Sequence, residues 1–468
     1  MRQIDIHKSD AMGRQPIWSL LARFSGPAII SMTTASTYNM VDAMWVGRLG
    51  SNSLAALVVA FPVMLLFMSI SIGSGIGASS LISRNLGAGR HEQANQIAGN
   101  AISLSLIIGM LMAAVCLPLM EPILRLLGAS EAVMPAAQKY LFIIAAFSIF
   151  DSFGLVIGTI IRAGGSPTFP SVVYVIASVS NIILDPFMIF GWGPFPAMGV
   201  QGAAIATVTS RGIAALIFVI YILRGKTAYN LHPSCFIPRL KILAEIYRIG
   251  LASIVRMSAA SIVLALANRT AISYGEDKLA VLGVMNRIGS FAFMPCIGLS
   301  QGMLPLVGYN YGAGKHNRVG EVVVKAGLLS IAWGIMCAAI SLLLPRQVMS
   351  IFNSNPAFLD TGQRAMVIFA LSFFSIGLQS VLGSFFQGLG RGMASLVLAS
   401  SRQVIFLLPA LLILPRYFGL TGLWTSFPAA DTLAITLCLI WTIFECRHLG
   451  IRLRLRYPEN GKEQATSN

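Results

Sequence analysis

About twelve apolar stretches, each long enough to cross a bilayer as a helix, follow one another along this sequence of 468 residues. A bilayer core requires roughly 20 apolar residues per helix. The stretches lie at 20–46, 53–82, 96–119, 135–162, 168–190, 199–223, 247–273, 279–306, 320–345, 360–388, 394–414 and 421–446. They do not alternate polar and apolar residues as the strands of a membrane barrel do. The predicted fold is therefore an all-α polytopic membrane protein.

The composition agrees with lipid as the main solvent. Only 11% of the residues are charged and 56% are hydrophobic, whereas about a quarter of the residues in a soluble domain are charged. The net charge of +16 would suggest nucleic acid in a soluble protein. Here most of the 33 basic residues fall in alternate loops, as expected of cytoplasmic loops. We expect an inner (cytoplasmic) membrane protein with both termini in the cytoplasm, with the bilayer and not nucleic acid as its partner.

The chain contains one internal repeat. Positions 83–91 read SRNLGAGRH and positions 308–316 read GYNYGAGKH, so that Gly87 aligns with Gly312 and His91 with His316. The predicted division is an N-lobe at 1–223 with helices 1–6, a cytoplasmic loop at 224–246, a C-lobe at 247–446 with helices 7–12, and a basic cytoplasmic tail at 447–468. Six helices in each half give both halves the same orientation. Parallel repeats of this kind recur in transporters, whose substrate sites lie between the halves.

Four acids fall inside the apolar stretches, namely Asp42, Asp151, Asp185 and Asp431. An acid at the bilayer centre costs roughly 2.5–3.5 kcal/mol on insertion scales, so each is a functional candidate. Asp151 either joins a site with the other N-lobe acids or bonds to a neighbouring helix. For Asp431 the simplest role is structural, an ion pair with one of the arginines in the C-lobe helices, which are Arg256, Arg269, Arg287 and Arg402.

Asp42 and Asp185 are expected at similar depth, each with polar neighbours on its own helix. Tyr38 lies four residues before Asp42, and Asn39 flanks the same stripe. Asn181 lies four residues before Asp185. Proline at 186 removes a backbone hydrogen bond and frees a carbonyl beside the acid. We expect these groups to form one buried network, in which burial disfavours the charged carboxylate and promotes proton exchange.

The repeat provides an internal control for this network. In the register of the paired loops, Tyr38 and Asp42 align with Val263 and Ala267, and Asn181 and Asp185 align with Phe406 and Ala410. A purely architectural role would have been needed in both halves. The asymmetry therefore favours function over structural pairing for the N-lobe acids.

Several motifs are missing from the sequence. There is no GxxxxGK[ST] loop for ATP, no HExxH or GxSxG, and the six cysteines show no CxxC spacing. The sequence predicts a protein that is not an enzyme and needs no cofactor beyond a coupling ion.

Together these residues resemble the multidrug and toxic compound extrusion (MATE) family. The resemblance rests on the paired loops and on four further runs: YNMVDAMWVGRLGS (38–51), RAGGSPTFP (162–170), NIILDPFMIFGWGPFPAMGVQGAAIAT (181–207) and GLSQGMLPLVGYNYGAG (298–314). It covers nearly the whole chain. It implies twelve helices in two V-shaped lobes, and export of cationic drugs in exchange for H⁺ or Na⁺.

The acid in helix 1 and the Asn/Asp pair in helix 5 resemble the branch named for the DNA-damage-inducible protein F. That branch implies a coupling-ion site formed by Tyr38, Asp42, Asn181 and Asp185, with bending of helix 1 during turnover. Thr207, Asn39, Asp151 and Thr159 are weaker candidates, and a Na⁺ ion at Asp42 and Asp185 is an alternative to H⁺. The helix 4 asparagine of relatives is missing, so Asp151, Ser152 or Thr159 would substitute for it.

The other main branch carries a glutamate in helix 7 and an aspartate in helix 10 for Na⁺. Here the corresponding helices offer Asn268 with two arginines, and Gln379 with Gln387, so a C-lobe Na⁺ site is not expected. The resulting hypothesis is an exporter of amphipathic organic cations driven by H⁺ in preference to Na⁺. A lipid-linked oligosaccharide flippase, with Arg256 and Arg402 facing the cavity, and a non-transporting scaffold or receptor are the alternatives.

Overall fold

A computed structural model describes residues 9–352 and 355–455, except for the side chains at positions 51 and 52, and all regular structure in these ranges is helical. The first half contains α1 Ile17–Gly47, α2 Ser51–Gly87, α3 His91–Cys116, α4 Met120–Leu126, α5 Met134–Ala146, α6 Ser148–Ala163, α7 Thr168–Phe190 and α8 Val200–Leu223. The second half contains α9 Leu240–Ile272, α10 Glu276–Gly312, α11 His316–Leu343, α12 Pro345–Ser350, α13 Pro356–Ala370, α14 Phe373–Leu389, α15 Gly392–Ser400, a π-helical segment Ser401–Leu407, and α16 Leu408–His448. Both halves follow one order: three long helices, a short one, a bent pair and two more spans.

The described helices provide the twelve predicted membrane spans. Eight stretches are long and apolar enough to cross a bilayer, and two pairs bent by 49° and 43°, α5 with α6 and α13 with α14, bring the number to ten. The stretch Gly392–His448 breaks at Gly419, where φ is 58°, and so holds two spans. Helix α1 completes the set with 31 residues, its apolar character diluted by polar side chains. The predicted all-α fold of two six-helix lobes is confirmed.

Helix α9 begins earlier than the apolar pattern suggested. It starts at Leu240, inside the predicted loop 224–246. Its first turns carry charged residues among apolar ones, and such a segment is too polar for the bilayer core although its backbone is helical. Hydropathy therefore marked where the helix enters the lipid and not where the helix begins.

The two lobes pack through α1 and α2 of one half against α9 and α10 of the other. Glycines permit this approach, because a Cβ on Gly250 would lie 2.2 Å from the carbonyl oxygen of Gly73, and one on Gly77 would lie 2.1 Å from that of Ile246. At the opposite ends of α1 and α10, a Cβ on Gly47 or Gly283 would meet no atom within 4 Å. The lobes therefore meet at the end that is predicted to be cytoplasmic, which gives the V shape.

The segment before α1 adds hydrogen bonds between the two lobes at the same end of the molecule. Asn310 Nδ2 donates to the Met12 carbonyl oxygen at 3.1 Å, and Lys315 Nζ donates to that of Gly13 at 2.9 Å. Tyr309 donates its hydroxyl to Asp10 at 3.1 Å. The chain entering the N-lobe is thus held by the last turn of α10 and by Lys315 in the turn that follows it.

Candidate functional site

Five helices of the first half bring eight polar side chains together, here called the N-lobe cluster. The members are Tyr38 and Asp42 on α1, Tyr140 on α5, Asp151 on α6, Asn181 and Asp185 on α7, and Thr207 and Arg211 on α8. Burial of so many polar groups between apolar helices is costly unless they find partners. The pattern of satisfied and unsatisfied groups therefore shows what the cluster can bind.

Asn181 is the centre of one hydrogen-bonded chain. Its Nδ2 donates to Asp185 Oδ1 at 3.1 Å and to Thr207 Oγ1 at 3.4 Å. The first bond joins residues one helical turn apart, as the spacing of four predicted, and the second links α7 to α8. Both Asn181 and Asp185 are buried, at 2% and 0% exposure. These hydrogen bonds engage one oxygen of the Asp185 carboxyl group and leave the other oxygen unpartnered.

Arg211 is the only basic side chain that the described residues bring into this cluster. Its Nη1 lies 2.8 Å from Asp151 Oδ2, and its guanidinium also interacts with the Tyr38 hydroxyl. Both alternatives for Asp151 therefore apply, because this acid bonds to a neighbouring helix and also lies at the N-lobe cluster. An arginine and an aspartate at this distance form an ion pair. Arg211 also attracts the charge of Asp42, but among the described residues no ion pair joins it to Asp42 or Asp185, which are here called the uncompensated acids.

Asp42 and Asp185 lie close enough for their charges to interact. Asp42 is 8% exposed, and its Oδ1 has no hydrogen-bond donor among the described residues. Asp185 Oδ2, Asn181 Oδ1 and Ser152 Oγ are likewise buried without partners. Three of these four atoms can only accept hydrogen bonds, so a proton or a cation is the ligand that the arrangement lacks.

Two breaks in helical geometry border the cluster. Pro186 follows Asp185 inside α7 and cannot donate to the Ile182 carbonyl, which is left beside the acid. The 49° bend between α5 and α6 lies between Tyr140 and Asp151. Free carbonyl groups and bends inside a membrane occur where they are buried in protein or line a water-filled cavity.

The remaining candidates lie away from the cluster. Asn39 is exposed and donates to the carbonyl oxygen of Ala35 on its own helix at 3.0 Å. Thr159 donates to the Val156 carbonyl oxygen at 2.7 Å and packs against Gly75 on α2. It lies two turns beyond Asp151, roughly 12 Å along the helix. Within the described residues, no hydrogen bond joins the side chain of either residue to the four principal candidates, whereas Thr207 joins them through Asn181.

Two members of the cluster were not predicted from the sequence. Arg211 is a charged residue within the apolar stretch 199–223, so the rule that selected the four acids would have selected it too. Tyr140 gave no such signal, because an aromatic residue in an apolar stretch usually packs against its neighbours. It is 3% exposed and lies near both uncompensated acids.

The second half has a different polar centre. Asp431 is fully buried on α16 and forms a close ion pair with Arg402 in the π-helical segment, which confirms the predicted structural pairing. Val263 and Ala267, aligned with Tyr38 and Asp42, belong to an apolar core and are 4% and 1% exposed. The cluster therefore exists in one lobe alone within the described residues.

Comparison with known proteins agrees with this architecture. The model of the family described as MatE matches residues 27–187 and again 252–412. The two matches stand in the same register as the repeat found within the sequence itself. The chain therefore encodes a two-lobed membrane transporter. It belongs to the MATE family.

Individual relatives are similar along nearly their full length. The multidrug export protein MepA of Staphylococcus aureus (strain NCTC 8325 / PS 47) is 26% identical over 431 residues, 91% of this chain and 94% of that protein. MepA of Staphylococcus haemolyticus (strain JCSC1435) is 26% identical over 425 residues, 90% and 92% of the two chains.

Solved structures also match this chain along nearly its full length. One described as the outward-facing conformation of a multidrug resistance MATE family transporter of the MOP superfamily has a TM-score of 0.88, at 27% identity, over 94% of this chain and 98% of that one. A MATE structure in the straight conformation matches at 0.89, with 26% identity over 94% and 98% of the chains, and one in the bent conformation matches at 0.89, with 26% identity over 95% and 98%.

Proposed function

We propose that this protein exports amphipathic organic cations from the cell, driven by H⁺ that binds at Asp42 and Asp185. The observation that carries the proposal is the pair of buried carboxyl groups that form no ion pair, because Arg211 pairs with Asp151, and whose oxygens Asp42 Oδ1 and Asp185 Oδ2 accept no hydrogen bond among the described residues. The relatives named as multidrug export proteins, each similar along nine-tenths of this chain, support drug export, and the cationic character of the substrates is inferred from the buried acids.

Competition for the same negative charge would couple the entry of H⁺ to the export of the substrate. A proton on Asp42 removes the charge and supplies a donor where the cluster has unpartnered acceptors, so the protonated site is stable without substrate. A cationic substrate is favoured when the proton leaves, since it restores the charge balance. The two ligands then exclude each other, and each drives the release of the other.

Alternating access would come from motion of the lobes about their closed end. Helix α1 carries both Asp42 and part of the contact between the lobes. Pro27 interrupts the hydrogen bonding of α1 within that contact, since Ser25 lies against Gly302 of α10 and Ile29 lies against Gly298. Protonation at one end of α1 can therefore bias packing at the other. MATE structures in straight and bent conformations resemble this chain to the same degree, which is consistent with such a movement.

The flippase alternative has less support from the geometry. It requires several basic side chains to be free for a diphosphate group, but Arg402 is already paired with Asp431. A scaffold or receptor would have no use for acids left without partners in the membrane.

Ethidium transport into inside-out vesicles tests the proposal, with the pH gradient and the Na⁺ gradient imposed separately. We expect wild type to transport ethidium with the pH gradient, and Asp42→Asn to lose at least about tenfold in rate because one charge is removed permanently. Asn39→Ala is the matched control, since Asn39 lies on the same helix outside the cluster. Transport driven by the Na⁺ gradient alone would show that the coupling ion is Na⁺ and not H⁺. Equal rates for Asp42→Asn and wild type would refute the coupling role of Asp42.

A further inference from the structure

Arg256 is a cation near the middle of a membrane helix. It lies nine residues beyond position 247, where α9 is predicted to enter the bilayer, which corresponds to roughly 14 Å of helix. This depth exceeds the reach of an arginine side chain toward the membrane surface. A guanidinium at such a depth requires a partner inside the protein or a ligand.

The described residues give Arg256 no acidic partner. The charged group near it is the guanidinium of Arg402, which repels it. Arg402 itself is neutralised by Asp431, whose carboxyl group is fully buried. Arg256, Arg402 and Asp431, here called the C-lobe cluster, therefore carry one positive charge in excess.

The neighbouring polar groups are already engaged with each other. Gln379 Nε2 donates to the Asp431 carbonyl oxygen at 3.1 Å, and Gln387 Nε2 donates to Ser253 Oγ, one turn before Arg256, at 3.0 Å. Arg256 and Arg402 remain partly exposed, the latter at 24%. The excess charge is therefore not fully enclosed by protein, and no acidic side chain among the described residues forms an ion pair with Arg256.

The backbone at this cluster is irregular as well. Arg402 lies in the π-helical segment Ser401–Leu407, which contacts α9. A π-helical turn inserts an extra residue into a helix and is frequently found at functional sites. Arg402 is the second residue of this segment, so the irregular backbone lies at the ion pair with Asp431.

The two lobes therefore carry opposite excess charge. The N-lobe cluster has three acids and one arginine, and the C-lobe cluster has two arginines and one acid. In the register that aligns Gly202 with Gly422, Arg211 aligns with Asp431, so the position that carries the base of the ion pair in one lobe carries the acid in the other. A purely structural pair would not require one further arginine beside it.

We propose that the C-lobe cluster binds an anionic oxygen group of the transported compound, with Arg256 as its principal contact. A planar guanidinium donates two parallel hydrogen bonds to a carboxylate, which suits this role better than a point charge. The inference rests on the proposed function and extends its substrate class. The exporter accepts zwitterionic compounds, whose cationic part is compatible with the N-lobe acids and whose carboxylate pairs with Arg256.

A matched pair of dyes tests this substrate class. Rhodamine 110 is a zwitterion with a free carboxylate, and rhodamine 123 is its methyl ester and a plain cation. Binding of each to the purified full-length protein is measured by fluorescence polarisation, which does not depend on any ion gradient. We expect Arg256→Gln to weaken rhodamine 110 binding at least about tenfold, the effect of losing a charge-assisted hydrogen bond, and to change rhodamine 123 binding less than about twofold.

Two further variants make the result specific. Arg256→Lys keeps the charge without the planar fork and should restore part of the rhodamine 110 affinity. Arg269→Gln removes an exposed arginine from the same helix and should leave both affinities unchanged. If Arg256→Gln weakens both dyes equally, or neither, the anionic subsite is wrong. Because binding is measured without a gradient, failure of H⁺-driven ethidium efflux would refute the proposed function, while a selective loss of rhodamine 110 binding would still support the subsite.

Discussion

At the scale of single residues, hydrogen-bond satisfaction separates structural from functional charges. Asp431 and Asp151 each have an arginine partner, and both ion pairs join neighbouring helices. Asp42 and Asp185 have none and leave carboxyl oxygens unpartnered. A buried, unpartnered acceptor costs free energy, so its presence calls for an explanation such as a bound water, ion or ligand.

The Arg211–Asp151 pair should be important for stability. Arg211→Gln leaves Asp151 without its partner and should lower the free energy of unfolding by about 3 kcal/mol, less if water reaches the partly exposed carboxylate. The measurement is thermal unfolding of the purified protein in detergent. The double variant Arg211→Gln/Asp151→Asn should recover much of the loss, because the unpaired charge is gone. A double variant as unstable as Arg211→Gln alone would contradict the pairing.

At the scale of helices, the interruptions coincide with polar sites. Pro186 follows Asp185, the bend between α5 and α6 lies beside the N-lobe cluster, and the π-helical segment holds Arg402. Regular helices satisfy their own backbone groups and present no free carbonyl. Each interruption therefore redirects side chains or exposes a carbonyl that a continuous helix would have kept for itself.

The proline in α7 provides a test at this scale. Pro186→Ala should let the amide of residue 186 donate to the Ile182 carbonyl, which completes the hydrogen bonding of α7 and raises its stability by about 1–3 kcal/mol. We expect a higher unfolding temperature and a several-fold slower ethidium transport, since the free carbonyl beside Asp185 disappears. Pro62→Ala, in α2 and exposed, is the control and should leave the transport rate unchanged. Unaltered transport by Pro186→Ala would show that the interruption has no functional role.

At the scale of the whole molecule, backbone contact between glycines holds the lobes together at one end. Gly73 and Gly77 on α2 lie against the backbone of α9, and Gly312 on α10 lies against that of Arg84 on α2. Small residues at helix interfaces let membrane helices approach closely without a hydrophobic driving force. The closed end therefore depends on the absence of side chains, and its opening needs no large group to be withdrawn.

A single methyl group should disturb this closed end. Gly77→Ala places a Cβ 2.1 Å from the Ile246 carbonyl oxygen, so α2 and α9 must separate. Spin labels on the ends of these two helices, measured by double electron–electron resonance, should report a longer distance by about 1 Å or more, the shift needed to reach ordinary van der Waals contact. Gly283→Ala, which meets no atom within 4 Å, is the control and should leave the distance unchanged. Identical distances in the two variants would contradict the tight packing.

The agreement between sequence and structure differs from one feature to the next. The twelve spans, the repeat, and the proximity of Asn181 to Asp185 followed from hydropathy and from spacing on one helix, both of which are local properties. The contact of Asp151 with Arg211, and the exclusion of Asn39 and Thr159 from the cluster, did not follow. These depend on how each helix is rotated toward its neighbours, and a membrane helix that is apolar around most of its circumference carries little information about that rotation.

The sequence by itself determined that the chain lies in lipid, that it consists of two similar halves, and which acids lie within the membrane. Lipid requires long apolar helices, so these features can be read directly from the pattern of apolar and charged residues along the sequence. Only the tertiary structure decided which of those acids are neutralised, that Tyr140 and Arg211 join the first lobe's cluster, and that Arg256 in the second lobe has no acidic partner. Partnership between charges depends on distances across several helices, and those distances arise only when the helices pack.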